Sequence, residues 1–537
     1  MAENVKEILA DLVEIDTMSF KSNIDFIVYV RDFLAKHGIE SKIIIYDGKK
    51  ACLFAQVGDN PKFMLAAHSD TVPANEQGWD TPPLELTEKD GKLYGLGTAD
   101  MKGFIACILA LVAEGGKDFY IGITADEEIT MGGAENISAY LNSRKIKPKG
   151  ILLGEPSKSG IITRHKGTHA FKTTVYGEEA HDSNRHKAEF AYRITVSGKS
   201  AHASNPDKGL SAIEIMGVVI KAISKVRREL KQSSHESSSV EVPYSTINMG
   251  EIEGGDARNK VPEKCSLDLF IGLHPNDRVE DISALIDAEI KELLKTEFPN
   301  AEDKGLGIHI ENLSIYPRSS VGKDSEAFAS NPEEGWNTTE IMGVIIRAIS
   351  EVSRELKQSP HESPSFEVPY STINMAKTKK GNLEWSTRLH TNDNADDILE
   401  RINARIKELL TAEFPDFEMK EFIHTESLGS YPGYSLDQNS EIFAATFRAT
   451  AKVKGKVPCF GANFGTEAGI YSKRLGVPVV ISSPASIDHA HKPNEFVSVP
   501  ELEEYMNVLR EMFLPAPQAP DRQRKFWSSV AVRKNAL

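Results

Sequence analysis

Apolar residues along the chain follow two periodicities, and their alternation outlines an α/β protein. Between Glu3 and Asp16, residues Val5, Ile8, Leu9, Leu12 and Val13 recur at helical spacing, which predicts an amphipathic helix. Short, nearly continuous apolar runs come next: KFMLAA ending at Ala67, FYIGITA ending at Ala125, GILLG ending at Gly154 and VPVVISSPASID ending at Asp488. Runs of this kind predict strands of an α/β sheet whose faces are covered by helices. The segment GFIACILALVAE predicts a helix from about Met101 to Glu114. No run approaches the ~18 uninterrupted apolar residues of a membrane span. The N-terminus lacks the continuous apolar core of a signal peptide.

The middle of the chain repeats itself. Residues Glu214–Met249 and Glu340–Met375 are identical at 29 of 36 aligned positions, at an offset of 126. Just upstream, Arg164–Asn184 matches Arg185–Asn205 at an offset of 21. The two offsets sum to 147, and 537 − 147 leaves 390 residues, as if one copy of a module had been inserted inside another. The period is too long, and the copies too few, for a solenoid. One full copy predicts a strand (Ala188–Val196), a helix (Leu210–Leu230), two strands (Val240–Ile252, Cys265–Leu273), a helix (Val279–Leu294) and a strand (Gly307–Asn312). That order is a β-α-β-β-α-β module of the ferredoxin-like type. The expected domains are 1–163 and 431–513 for the α/β part, 164–184 with 331–430 for the interrupted module, and 185–321 for the inserted one. Beyond Phe513 the chain turns Pro-rich and then basic, which predicts a flexible tail over 514–537.

Length and charge narrow the function classes. A chain of 537 residues exceeds the ~250–300 at which a single core stops growing. A net charge of −15 disfavours nucleic acid or an anionic membrane as partner. Cys52, Cys107, Cys265 and Cys459 show no CxxC spacing, so free thiols in a cytoplasmic setting are expected rather than a disulfide framework or thiolate zinc site.

Candidate chemistry collects where the apolar runs end. The four runs lead into His68-Ser-Asp70, Asp126-Glu127-Glu128, Glu155-Pro156 and His489-Ala-His491-Lys-Pro, and Asp100 stands just before the Met101–Glu114 helix. In open α/β sheets ligands bind beyond the carboxyl ends of the strands. Imidazole and carboxylate without thiolate suit zinc or a similar divalent ion that keeps a position open for water. On a continuing strand His68 and Asp70 face the same way, so the Asp70 carboxylate can accept the second ring N–H of His68. Of the adjacent Glu127 and Glu128, one can ligate while the other shuttles protons. Asp100 by itself reads as a helix N-cap. No phosphate-cradling Gly loop and no nucleophilic Ser elbow is present.

In order along the chain, AAHSDTVP, GLGTADMKG, TADEEITMGGAE, LLGEPS, HKGTHAFKTTVYGEEAHDS and FGTEAGIYSKRLGVPVVISSPASIDHAHKPNEFV resemble the M20 peptidase family. The DEE, GEP and AHKPNE forms are closer to its acetylornithine deacetylase branch than to its dipeptidases. The resemblance covers nearly the whole chain apart from the tail and the duplication. It implies a zinc-peptidase-like sheet carrying a ferredoxin-like lid, here in two nested copies. It also implies two divalent metal ions, zinc with cobalt as the alternative. His68, Asp100 and Glu155 would hold one; Asp100, Glu128 and His491 would hold the other. Glu127 would be the general base, Asp70 would orient His68, and the His before Lys-Pro favours His491 over His489 as ligand.

Family dimers share lid residues between subunits, and the two copies have split that set. The inserted copy keeps His202 and Asn259 but has Gly272 where the other keeps Arg388; Phe328 stands where His202 would repeat, and His181 is a spare. The implied protein is a cytoplasmic monomer whose inserted lid imitates a dimer partner. His202 and Asn259 would stabilise the oxyanion, and Arg388 would bind the substrate carboxylate. The implied reaction is hydrolysis of an N-acyl amino acid, with N2-acetylornithine, an intermediate of arginine biosynthesis, as the first substrate. Succinyl-diaminopimelate desuccinylation, aminoacylase or dipeptidase activity, and non-catalytic binding on the same scaffold are the alternatives.

Overall fold

The computed structural model describes all residues except 1–3, 75–77, 177–187, 234–241, 275, 317–336, 360–365, 367, 391–392, 416, 418 and 515–537. The expected tail, but for Leu514, lies outside the described residues, as do His181 and Phe328. Two compact units divide the chain. One runs to His165 and resumes over Tyr434–Ala462 and from Thr466; the other is Lys166–Gly433 with Asn463–Gly465.

The first unit is built on a nine-stranded sheet. Its centre is the parallel series Phe119–Thr124, Phe63–His68, Gly150–Leu153 and Val479–Ile481. Every residue of Phe63–His68 is buried, as expected for a strand covered on both faces. The antiparallel pair Ser41–Tyr46 and Lys50–Val57 extends one side of the series. Ile161–His165 extends the other. The helix Lys102–Ala113 is buried from Lys102 to Val112 and packs against Val5–Glu14 and Val499–Phe513. The N-terminal helix buries the five residues its periodicity selects, and Asn4 with Glu7 closes its first turn as a capping box. Among the described residues no helix is long and apolar enough to cross a membrane.

The second unit holds an eight-stranded antiparallel sheet, in the order Gly307–Tyr316, Ala188–Ser197, Lys264–Leu273, Thr246–Gly254, Thr372–Lys379, Asn382–Leu389, Gly167–Val175, Ile423–Tyr431. Each half has the fourth-first-third-second strand order of a ferredoxin-like module, and the halves meet where Glu253 pairs with Lys379 and Gly254 with Thr378. Helices Ala212–Gln232 and Val279–Glu297 connect strands of one half; Thr338–Gln358 and Ala395–Glu413 connect those of the other. Of the strand expected over Val240–Ile252, residues 240 and 241 lie outside the described residues, and the strand itself runs Thr246–Gly254, beyond Pro243, which has no N–H to give a ladder. Ala212–Gln232 and Thr338–Gln358 pack on each other with glycines at the crossing. A methyl group at Gly217 would overlap Ile346, and one at Gly343 would overlap Ile220. These two contacts are the same contact displaced by 126 residues, so the helices meet across a pseudo-twofold axis.

Candidate metal centre

The parallel strands deliver their last residues to one end of the sheet. His68 closes Phe63–His68, Asp126–Glu128 follow Phe119–Thr124, Glu155 follows Gly150–Leu153, and the segment after Val479–Ile481 leads to His491. Asp100 arrives from the loop before Lys102–Ala113. Met101, not Asp100, is the N-cap of that helix and makes no capping hydrogen bond, so the capping role is not the one Asp100 plays. Its carboxylate reaches two imidazoles instead: Oδ1 lies 3.0 Å from His68 Nε2, and Oδ2 lies 3.3 Å from His491 Nε2. His491 Nε2 is also 3.0 Å from Glu128 Oε1. His491 adopts a left-handed backbone at φ 59°. His489 takes no part, since its ring stacks on Phe496 at 4.0 Å between centroids.

Three triads have their donor atoms within 4.8 Å of one another: His68, Asp100 and Glu155; Asp100, Glu128 and His491; and His68, Glu127 and Glu128. Asp100 belongs to the first two, with one oxygen toward each histidine. The electrostatics fit divalent cations. Burial and the neighbouring Glu155 charge push the Glu127 carboxyl well above its ordinary range. Burial and Asp100 do the same to Glu155. Burial alone would raise Asp100, but hydrogen bonds from His491 and His68 hold it well below the usual carboxylate range. Burial opposes charge on His68, yet the Asp100 hydrogen bond and surrounding carboxylates raise it well above the usual imidazole value. Glu155 Oε1 is buried with no hydrogen-bond partner among the described residues. A buried acceptor left bare is costly, and a cation beside it removes that cost along with the carboxylate repulsion.

Asp70 differs from expectation in how it orients His68. His68 Nδ1 lies 3.0 Å from the Asp70 main-chain carbonyl, whereas the carboxylate oxygen is 3.6 Å away, beyond hydrogen-bond range. The reason is that the strand ends at His68 and the chain turns, so the alternation of a continuing strand no longer applies. The freed carboxylate accepts from the Glu127 amide at 3.1 Å, the Glu128 amide at 3.3 Å and Ser19 Oγ at 2.8 Å. Asp70 thus fixes the main chain that carries both glutamates.

Sequence reasoning missed Ser19, Lys50 and Glu495. Lys50 Nζ lies 2.8 Å from Asp126 Oδ1 and donates to the Ser19 carbonyl at 2.5 Å, tying the DEE turn to the Ser19 loop. Neither residue sits in a recognisable motif. Glu495 falls inside the AHKPNE string but has no role implied by spacing.

The other named residues lie in the second unit. His202 forms an isolated bridge with Lys260, and the Ala203 amide donates to the Asn259 carbonyl at 2.8 Å, so His202 and Asn259 are neighbours along paired main chains. Asn374, from the other half of the sheet, donates to the carbonyls of Arg258 and Lys260 at 3.2 and 3.1 Å. Arg388 stands on Asn382–Leu389, and its Nη1 donates to Thr168 Oγ1 at 2.6 Å.

Comparison with known proteins gives the family. The sequence pattern described as peptidase family M20/M25/M40 matches residues 64–514. An acetylornithine deacetylase of Pasteurella multocida (strain Pm70) is 36% identical over 284 residues, 51% of this chain and 68% of that protein. One from Buchnera aphidicola subsp. Acyrthosiphon pisum (strain Tuc7) is 31% identical over 302 residues, 54% of this chain and 73% of that protein. Among solved structures, aminoacylhistidine dipeptidase from Vibrio alginolyticus superposes with a TM-score of 0.58 at 17% identity, covering 96% of this chain and 97% of that one; this likeness is one of fold.

Proposed function

The chain belongs to peptidase family M20/M25/M40, and from that premise we propose that it hydrolyses N2-acetylornithine to ornithine and acetate with two zinc ions bound, cobalt being the alternative. As a member of this family it is a metal-dependent amide hydrolase. The observation that carries the reading is Asp100 set between His68 and His491 at 3.0 and 3.3 Å, with Glu155 and Glu128 completing the two triads that share it, and Glu127 within reach of His68 and Glu128. His68, Asp100 and Glu155 would hold one ion, and Asp100, Glu128 and His491 the other. When bound, such ions polarise the amide carbonyl and make water acidic enough to attack near neutral pH.

Glu127 does the proton work. It takes a proton from water as the water oxygen bonds to the acyl carbon, then delivers it to the amine nitrogen as the C–N bond breaks. The raised pKa of Glu127 suits a group that must both accept and return a proton. Asp70 acts by holding the Glu127 and Glu128 amides. His202 and Asn259 stabilise the oxyanion that develops on the acyl oxygen, and Arg388 binds the substrate carboxylate.

We read the repeat as two nested lid modules, 185–321 inside 164–184 with 331–430, in a cytoplasmic protein that works as a monomer. The pseudo-twofold packing of Gly217 on Ile346 and Gly343 on Ile220 supports this, because it is the self-complementary contact of a twofold dimer placed inside one chain.

The test is turnover of N2-acetylornithine by chelated protein, with and without added zinc or cobalt, beside Glu127→Ala. Metal-restored turnover that the variant loses by at least ~100-fold supports the reading. Bound metal without turnover moves the substrate to succinyl amino acids or dipeptides. Protein that binds no metal sinks the mechanism.

A further inference from the structure

Glu495 lies four residues beyond His491, outside both ligand triads, and is 2% exposed. Its Oε1 accepts from the Ala99 amide at 2.9 Å and the Asp100 amide at 3.0 Å, and its Oε2 accepts from the Gly97 amide at 3.1 Å. Its own carbonyl accepts from the Gly95 amide at 3.1 Å. The loop that carries Asp100 is therefore gathered around a single side chain. Gly97 makes this possible: it sits at φ 80°, and a Cβ there would run into Thr71.

The donor count explains why a carboxylate stands here. Three N–H groups point inward and none accepts, so the partner needs two acceptor oxygens and no hydrogens. A buried acid this close to Asp100 is electrostatically costly, which sets it apart from a residue that merely fills space. Both of its oxygens are engaged, so it is not a further metal ligand.

Glu495 is also anchored on its own side. Asn494 accepts from the Asp80 amide at 2.8 Å and donates to the Gly78 carbonyl at 3.2 Å, and Phe496–Ser498 pairs with Lys92–Tyr94. The segment with His491 at one end and Glu495 at the other is thus stitched to the loop that presents Asp100.

We propose that Glu495 is a positioning residue for the bridging carboxylate: it holds the Asp100 main chain so that one side-chain oxygen faces each histidine, and it couples that pose to the loop of His491. The inference rests on the metal reading above and concerns the site formed by Asp100, Glu128 and His491 most directly. Glu495→Gln keeps the size but turns an NH2 toward an N–H donor. Glu495→Asp keeps the charge but is one methylene shorter.

The experiment titrates metal-free wild type, E495Q and E495D with zinc by calorimetry and with cobalt by visible absorption, with circular dichroism to confirm folding. In E495Q one of the two metal equivalents is expected to weaken by about 10–100-fold, with an altered cobalt band, while the other stays within about threefold. kcat should fall on the same scale with KM little changed, and E495D should recover part of each loss. Two unchanged binding constants and an unchanged cobalt spectrum in folded E495Q overturn the proposal, even if its melting temperature drops. Equal weakening of both equivalents overturns it too, as general loosening. If E495Q does not fold, E495D decides by the same constants. Wild type that binds two equivalents yet leaves N2-acetylornithine intact overturns the substrate reading and not this one.

Discussion

The two copies of the repeat keep the same internal framework but differ across the surface where they meet. Within each copy, a cation on the first helix pairs with a glutamate on the second: Lys221 with Glu297 at 2.9 Å, and Arg347 with Glu413 at 2.6 Å. Each copy also keeps a serine that donates to an aspartate, Ser245 to Asp277 at 2.6 Å and Ser371 to Asp393 at 2.5 Å. Across the pseudo-twofold the match fails. Glu340 is held by Ser224 at 2.9 Å and Arg227 at 2.5 Å. Its counterpart Glu214 would need an arginine at 353, where a serine stands. Burial leaves the Glu214 carboxyl pushed up to about 7, with Arg354 only partly opposing the shift. The residues proposed to act on the substrate divide in the same way, His202 and Asn259 on one copy and Arg388 on the other. In a homodimer one sequence must furnish both sides of every contact. Copies joined in one chain are released from that demand, and each needs to keep only its own share.

The sharpest break of this comparison is His202→Ala. Loss of an oxyanion donor is expected to lower kcat by about 10²–10³-fold with little change in KM. Undiminished turnover would mean that the inserted copy carries no chemistry. Arg388→Ala should cost less, about 10–100-fold in kcat/KM and mostly through KM, the scale of one charge-assisted contact. Adding Gly272→Arg to that variant should not restore it. Recovery would show that the two copies are interchangeable.

The smallest effect is on stability. A carboxyl raised from 4.5 to about 7 on folding binds its proton more tightly in the folded state, so stability falls as pH rises between those values. Ser353→Arg supplies the missing partner of Glu214. It should raise the urea-unfolding free energy by about 0.5–1 kcal/mol at pH 8, the scale of a part-exposed ion pair, and by less at pH 4. An equal gain at both values would argue that the arginine acts through packing.

The ends of the four apolar runs were legible because a buried parallel strand is nearly continuous apolar sequence, so the first polar residues after it mark the sheet end. HSD, DEE, GEP and HAHKP could each be located that way. Asp100 was found through its neighbours, although its local context resembles a helix cap. The roles inside the motifs were less legible. The turn after His68 exchanges the Asp70 carboxylate for its carbonyl, a change no alternation pattern carries. Contacts such as Glu495 to Gly97 join residues 398 positions apart, and a lone glutamate after Asn494 looks like any surface acid until the opposing amides are seen. Strand bounds were less legible near proline, which has no donor for a ladder; the strand that follows Pro243 begins at Thr246.

The helix crossing at Gly217 and Gly343 joins two copies held in one chain, so their meeting is a first-order event. Association between separate subunits weakens as their concentration drops, whereas segments of one polypeptide see a fixed effective concentration set by the chain between them. Dilution therefore cannot part these two modules. Activity per molecule should stay constant down to nanomolar protein, where a reversible dimer built on the same surface would begin to fail.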